Sequence, residues 1–178
     1  MSSTKLNPTR ALTIVPSDYC NVPSPNLLLA GIGSGVGSSD VLVDLTAKFF
    51  ITNSSGNREY VVNTGDVVYG YDTIGNLWYG YTVIEVIDQN TLKLNATINW
   101  VNYNYYIYQE GPQTGLGNEG CLLYIGGSLL TPYSLAVTTI GGDYMVIDRV
   151  PVGLLPIQIK KVWATNTNIE QQQIFGLW

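Results

Sequence analysis

Histidine is absent from all 178 residues. Its absence removes Ser-His-Asp and Cys-His catalysis, His-ligated zinc and histidine pH switching together. Charge is scarce too: charged residues are 12% of the chain, about half the usual share of roughly 25%. Eight Lys and Arg stand against thirteen Asp and Glu, a net charge of −5, and the densest basic cluster is the pair Lys160-Lys161. A nucleic-acid partner needs a positive stripe to displace phosphate counterions, so that class is excluded. No apolar run approaches the ~20 residues of a membrane helix, and the opening Met1-Ser2-Ser3-Thr4-Lys5 lacks the apolar core of a signal peptide. The expectation is a soluble chain with no membrane partner, made in a cytoplasm. Cysteine is limited to Cys20 and Cys121, with no CxxC spacing. They can be bridged only if their Cα atoms come within about 7 Å, and in a cytosolic protein they are expected reduced, buried and inert. No metal site and no cofactor is expected.

What is present is 46% hydrophobic residues set among Ser, Thr, Asn, Gly and thirteen tyrosines. Disorder requires the opposite balance. A polar but uncharged surface points to coverage by neighbours in an assembly, because a free-floating protein relies on charge for solubility. The periodicity is two. Leu92-Lys93-Leu94-Asn95-Ala96-Thr97-Ile98 alternates without fault after the turn Asp88-Gln89-Asn90-Thr91 and the run Tyr81 to Ile87, which predicts a β-hairpin. Further strands are predicted at Glu59–Val62, Asp66–Tyr69, Leu77–Tyr79, Val101–Tyr108, Cys121–Ile125, Leu135–Ile140, Tyr144–Ile147 and Leu154–Ala164. In the last, Pro156 marks an edge or a bulge, and Leu155, Ile157, Ile159 and Trp163 share a face, with Lys161 the exception. No stretch carries a helical stripe. The predicted fold is all-β: an antiparallel sandwich or barrel lobe with a second small β-barrel lobe inserted. Residues 1–40 form the arm and first part of the sandwich lobe, 41–111 the inserted barrel, and 112–178 the rest of the sandwich. Gly31-Ile32-Gly33-Ser34-Gly35-Val36-Gly37-Ser38-Ser39 reads as the joint between them.

That glycine run lacks the Lys-[Ser/Thr] of a phosphate loop and does not fit G-x-G-x-x-G. The remaining acid–base candidates are Asp66, Asp72, Glu85, Asp88, Asp143 and Asp148. A glycosidase needs two carboxyl groups about 5–10 Å apart, but four of these aspartates sit at turns where Asp bonds nearby backbone, and Glu85 alternates outward on a strand. No catalytic residue is assigned, and the chain is not expected to be an enzyme. Nine tyrosines lie between Tyr60 and Tyr108, with Trp78 and Trp100. Aromatics beside Asn and Asp suit sugar stacking, so glycan binding is a rival reading. Aromatics are also strand formers and interface anchors, which is the favoured role. The matches Asn53-Ser-Ser and Asn95-Ala-Thr are read as chance sequons.

Several motifs bear a resemblance. They are Cys121-Leu-Leu-Tyr-Ile-Gly-Gly, Leu135-Ala-Val-Thr-Thr-Ile-Gly-Gly-Asp143, Val150-Pro-Val-Gly-Leu-Leu-Pro-Ile-Gln-Ile-Lys-Lys-Val-Trp-Ala164 and the ending Phe175-Gly-Leu-Trp178. With the arm Val15-Pro-Ser-Asp18 and Val22-Pro-Ser-Pro25, they resemble a small virion-protein family of tailed phages. That family is found notably in cyanophages and includes spike-base proteins of gene-transfer-agent heads. The middle, Thr64-Gly-Asp-Val-Val-Tyr69 with Val83 to Leu94 and Tyr106-Ile-Tyr108, is similar to a recurring β module of phage structural proteins. The chain departs from the family at Ala164-Thr-Asn-Thr-Asn-Ile-Glu-Gln-Gln-Gln173, which is longer in polar amides. The resemblance implies a capsid decoration (cement) protein or head spike base on the virion surface, with a tail, neck or baseplate component as the alternative. The implied partners are the major capsid protein or other virion subunits and further copies of the chain. The residues expected at such interfaces are Phe175, Leu177, Trp178, Trp78 and Tyr105. Ile174 to Trp178 is expected to add a final edge strand to the sheet carrying Leu154 to Ala164, in its own chain or a neighbour, or else to close its own core.

Overall fold

A strand with one apolar face is stable only when that face is covered. The computed structural model describes residues 8–34, 38–100, 103–111, 120–127 and 132–178, and in it this covering is achieved by two antiparallel six-stranded sheets. In chain order the strands are β1 (Ala11–Thr13), β2 (Leu27–Ile32), β3 (Ser38–Val43), β4 (Phe50–Thr52), β5 (Arg58–Tyr60), β6 (Val67–Asp72) and β7 (Leu77–Asp88). There follow β8 (Thr91–Asn99), β9 (Asn104–Tyr108), β10 (Cys121–Ile125), β11 (Ser134–Thr139), β12 (Tyr144–Asp148), β13 (Gly153–Val162) and β14 (Ile174–Leu177). The first sheet has the order β1-β14-β10-β13-β11-β12, the second β2-β9-β6-β7-β8-β3, and β4 and β5 form a short hairpin. The protein is all-β.

The second sheet curls into a half-barrel around Trp100, Tyr105, Phe49, Leu42, Leu92 and Leu94, all essentially inaccessible. Its opposite edges, β2 and β3, meet where the Ser34 N–H, just past β2, donates to Val43 O at 2.7 Å. The β7–β8 hairpin is present, its turn closed by the Asn90 N–H on Asp88 Oδ1 at 2.8 Å. The boundary expected at residue 41 falls inside β3, and β2 lies in this same sheet beside β9. The glycine run therefore connects the two edge strands of one sheet and does not join the lobes. Gly31 lies in β2 opposite Tyr105, where a side chain would collide with Tyr105 and Asp44. Gly35, Val36 and Gly37 lie outside the described residues, as do Val101 and Asn102 of the predicted strand before Tyr108.

In the first sheet Leu155, Ile157 and Ile159 face the core, joined by Leu123, Leu135 and Val137. Pro156 sits where β13 pairs with β10 alone, since β11 joins only at Ile159–Val162, so its missing N–H costs no ladder bond. The register slips by a residue between Thr138 and Thr139, opposite Lys161 and Ile159. A one-residue slip exchanges the faces of a strand. Val162, not Trp163, continues the core face, and Lys161 lies over the outward Trp163 ring at 3.7 Å. Ile174–Leu177 does join this sheet, but not as an edge: β1 covers its far side.

Leu94 is 1% exposed. Leu94→Ala is expected to cost about 2–5 kcal/mol in chemical denaturation. A loss below about 1 kcal/mol would place that face of β8 in solvent.

Candidate functional site

Residues 14–24 carry Pro16 and Pro23, which lack the N–H that a sheet ladder needs. The segment instead runs between the two sheets as a strap, bonded to both. To the first sheet, the N–H groups of Ile14, Ser17 and Val22 donate to the carbonyls of Ile174, Val162 and Lys160 at 2.8, 2.9 and 2.8 Å. To the second, Ser17 Oγ donates to Gly80 O at 2.6 Å. Tyr19 O accepts from Thr82 Oγ1 at 3.1 Å and from Asn95 Nδ2 at 2.5 Å. Asp18 fixes the corner, accepting the Thr165 N–H at 3.0 Å and Thr165 Oγ1 at 2.7 Å. Burial pushes the Asp18 carboxyl up, but the bonds from Thr165 and Ala164 and the Lys161 charge outweigh it and leave it below its ordinary range.

The strap lies there because β8 joins β7 only from Val83 onward. Among the described residues no strand pairs with the side of β7 away from β6 along 78–82, and buried backbone polar groups must find partners. Gln171 supplies two: its Oε1 accepts the Trp78 N–H at 2.9 Å, and its Nε2 donates to Trp78 O at 2.8 Å. Asn95 Oδ1 accepts the Thr82 N–H at 3.0 Å. Gly80 is required here, since a Cβ would stand 2.8 Å from Cys20 Sγ and 3.2 Å from Ser17.

Beneath the strap, Val15 and Cys20 pack on Val67 and Tyr69, with Leu12, Trp78 and Tyr108 at the margin. An aromatic stripe continues outward, Tyr69 to Tyr108 at 5.6 Å, Trp78 to Tyr106 at 5.6 Å and Trp78 to Tyr71 at 4.8 Å. Both cysteines are free and buried, and burial pushes each thiol up to about 12, so neither is a nucleophile near neutral pH.

Of the five expected interface residues, Trp78 is half-buried at this seam. Phe175 and Leu177 alternate onto the outer face of the first sheet, each half-buried. Phe175 meets Tyr124 there, ring centroids 6.4 Å apart. Register adds Leu154 opposite Tyr124, and these two are 50% and 43% exposed. Trp178 packs on the core of its own sheet, with its N–H on Arg10 O at 3.0 Å. Tyr105 is a correction: it is 0% exposed and cannot meet a partner. Its hydroxyl donates to Asp44 Oδ2 at 2.6 Å. Asp44, 2% exposed, accepts on Oδ1 from the Thr46 N–H and Oγ1 at 2.8 and 2.7 Å and from the Ala47 N–H at 3.2 Å. Burial pushes the Asp44 carboxyl up, yet these bonds prevail and hold it below its ordinary range. Burial and the Asp44 carboxylate both raise the Tyr105 hydroxyl.

Of the candidate acids, Glu85 lies in β7 and Asp148 ends β12, while Asp66 and Asp72 bond backbone nearby. Asp66 accepts the N–H groups of Asn63 and Glu110 at 2.7 and 2.8 Å, and Asp72 accepts that of Ile74 at 2.9 Å. Burial raises Asp66, the two backbone bonds lower it, and the nearby Glu110 charge raises it further, leaving it above its ordinary value. Among the described residues no cluster of three or more Cys, Asp or Glu is arranged to hold a metal ion.

Gln171→Ala removes both bonds to Trp78 and is expected to cost about 1–3 kcal/mol while speeding amide exchange at Trp78. An unchanged Trp78 exchange rate would contradict the seam. Tyr105→Phe is expected to cost about 1.5–3 kcal/mol at neutral pH. Because the folded Asp44 pKa is depressed, its stabilisation is present above the unfolded value and lost as pH falls through the folded one. The gap between wild type and Tyr105→Phe should therefore narrow below about pH 4. A gap that widens on acidification would contradict the assignment.

The chain matches no protein-family model, no curated protein and no solved structure.

Proposed function

We propose that the chain is a non-enzymatic structural subunit of a tailed-phage virion, a capsid decoration (cement) protein or the base of a head spike. The supporting observation is the outer face of the first sheet, where Leu154, Tyr124, Phe175 and Leu177 form an apolar strip across β13, β10 and β14. An apolar strip half-exposed among the described residues, on a chain with 12% charged residues, suits coverage by a partner. Its role is passive: rigid β lobes bury such strips against the major capsid protein or neighbouring subunits, and weak contacts repeated by symmetry add up. Phe175 and Leu177 are the anchors, with Tyr124 and Leu154 beside them.

A second reading has its own observation. An open groove of about 480 Å³ is lined by Tyr60, Asn63, Thr64, Ile84, Glu85 and Val86. Tyr60 is 47% exposed, and an aromatic face beside amide, hydroxyl and carboxylate groups suits a sugar ring.

The test is incorporation. In phage carrying the gene, mass spectrometry of purified particles should find the chain at a stoichiometry set by symmetry. Tyr124→Ser with Phe175→Ser should yield folded protein that is depleted from particles by about tenfold or more. Absence of the wild-type chain from purified particles, with saturable binding on a glycan array, would overturn this proposal in favour of the groove.

A further inference from the structure

Open sheets leave edge strands, and proteins blunt them with bulges, lysines, prolines or short length. Three of the four edges of the two six-stranded sheets follow that rule. β1 has three residues, β2 slips register between Leu27 and Leu29, and β3 slips between Ser39 and Val41 and lies beside Lys93. β12 does not. Its five residues, Tyr144-Met145-Val146-Ile147-Asp148, pair with β11 without a slip and contain no proline or lysine. Among the described residues no strand lies on its other side.

The backbone orientation of β12 follows from its neighbour. The Ala136 N–H donates to Thr167 Oγ1 at 3.0 Å, and Ala136 O accepts from Trp163 N–H at 2.9 Å. Both groups of Ala136 thus point away from β12. The same holds for Ser134, whose N–H and O are taken by Asn168 Oδ1 and N–H. Residues opposite such positions form non-hydrogen-bonded pairs. Val146 stands opposite Ala136, Asp148 opposite Ser134, and Tyr144 opposite Thr138 in the same phase. The N–H and C=O groups of Tyr144, Val146 and Asp148 therefore face the open edge.

We infer that this edge pairs with the β12 of a second copy of the chain, antiparallel, about a two-fold axis at Val146. That register sets Val146 against its own counterpart and Tyr144 against Asp148, so all three outward residues on each strand gain partners. About six inter-strand hydrogen bonds form. It also sets Asp143 opposite Arg149 of the other copy, twice by symmetry, so the acid and base flanking the strand are complementary to themselves in this register. A parallel pairing would set like charges together. On the core side Met145 meets Ile147 of the second copy, and both already pack against the core of their own sheet. On the outer side Val146 and Tyr144 are 43% and 53% exposed in the single chain. The two first sheets become one continuous sheet. The pairing is independent of the virion proposal, because it is a property of the isolated chain.

A single strand pair is a small interface, so association in the micromolar-to-millimolar range is expected. Sedimentation velocity of the full chain over that range should show a monomer–dimer equilibrium. Amide exchange at Tyr144, Val146 and Asp148 should slow as concentration rises. Val146→Pro, which removes an N–H facing the open edge, should abolish the dimer while leaving the far-ultraviolet spectrum unchanged. Should that variant misfold, charge reversal decides: Asp143→Arg and Arg149→Asp should each weaken the dimer by about tenfold, and the double variant should restore it. A chain that stays monomeric at millimolar concentration overturns the inference. So does a dimer indifferent to Val146→Pro, or a double reversal no better than the single ones.

Discussion

The structure depends on one unpaired length of backbone. From Trp78 to Thr82, β7 lies beside β6 but not yet beside β8. An unsatisfied buried amide or carbonyl costs about 1–3 kcal/mol, so the edge must be bonded for the sheet to survive against anything apolar. The bonds come from Ser17 in the strap and Gln171 in the turn before β14, both distant in sequence, and from Asn95 on the neighbouring β8. The two sheets are held together by what completes β7.

That constraint also accounts for the sequence around the seam. Prolines suit the strap because it contributes side chains and selected N–H groups, not a full ladder. Gly80 admits Cys20 and Ser17, and Tyr69 lies beneath them at 2% exposure. Part of the aromatic load of the second sheet is therefore spent inside the molecule, on the junction with the first. The apolar strip left open, from Leu154 to Leu177, lies instead on the outer face of the first sheet.

The fold class was legible because alternation is a local property. Leu92, Leu94 and Ile98 turn inward as their spacing requires, and the hairpin at Asp88–Thr91 follows from Asx chemistry. Features that depend on tertiary partners were not legible. β2 was hidden because Leu27-Leu28-Leu29 has no alternation and the glycines after it read as a joint. The outward orientation of Trp163 is not legible because the slip beside Lys161 exists only in the pairing with β11. The inward orientation of Tyr105 is not legible because Tyr103 to Tyr108 is aromatic on both phases, so period two cannot say which residues face inward. The buried Asp44 that holds Tyr105 is not legible, since its bonds to Thr46 and Ala47 are those of any Asx turn and Tyr105 lies 61 residues away.

If the strap and Gln171 weld the two sheets, neither sheet should open alone. Native-state amide exchange under increasing denaturant tests this, following the slowest amides of β8 in the second sheet and β10 in the first. The account predicts that both sets converge on a single global free energy and respond to denaturant with the same slope. Two separate free energies, with β8 exchanging while β10 stays protected or the reverse, would contradict it.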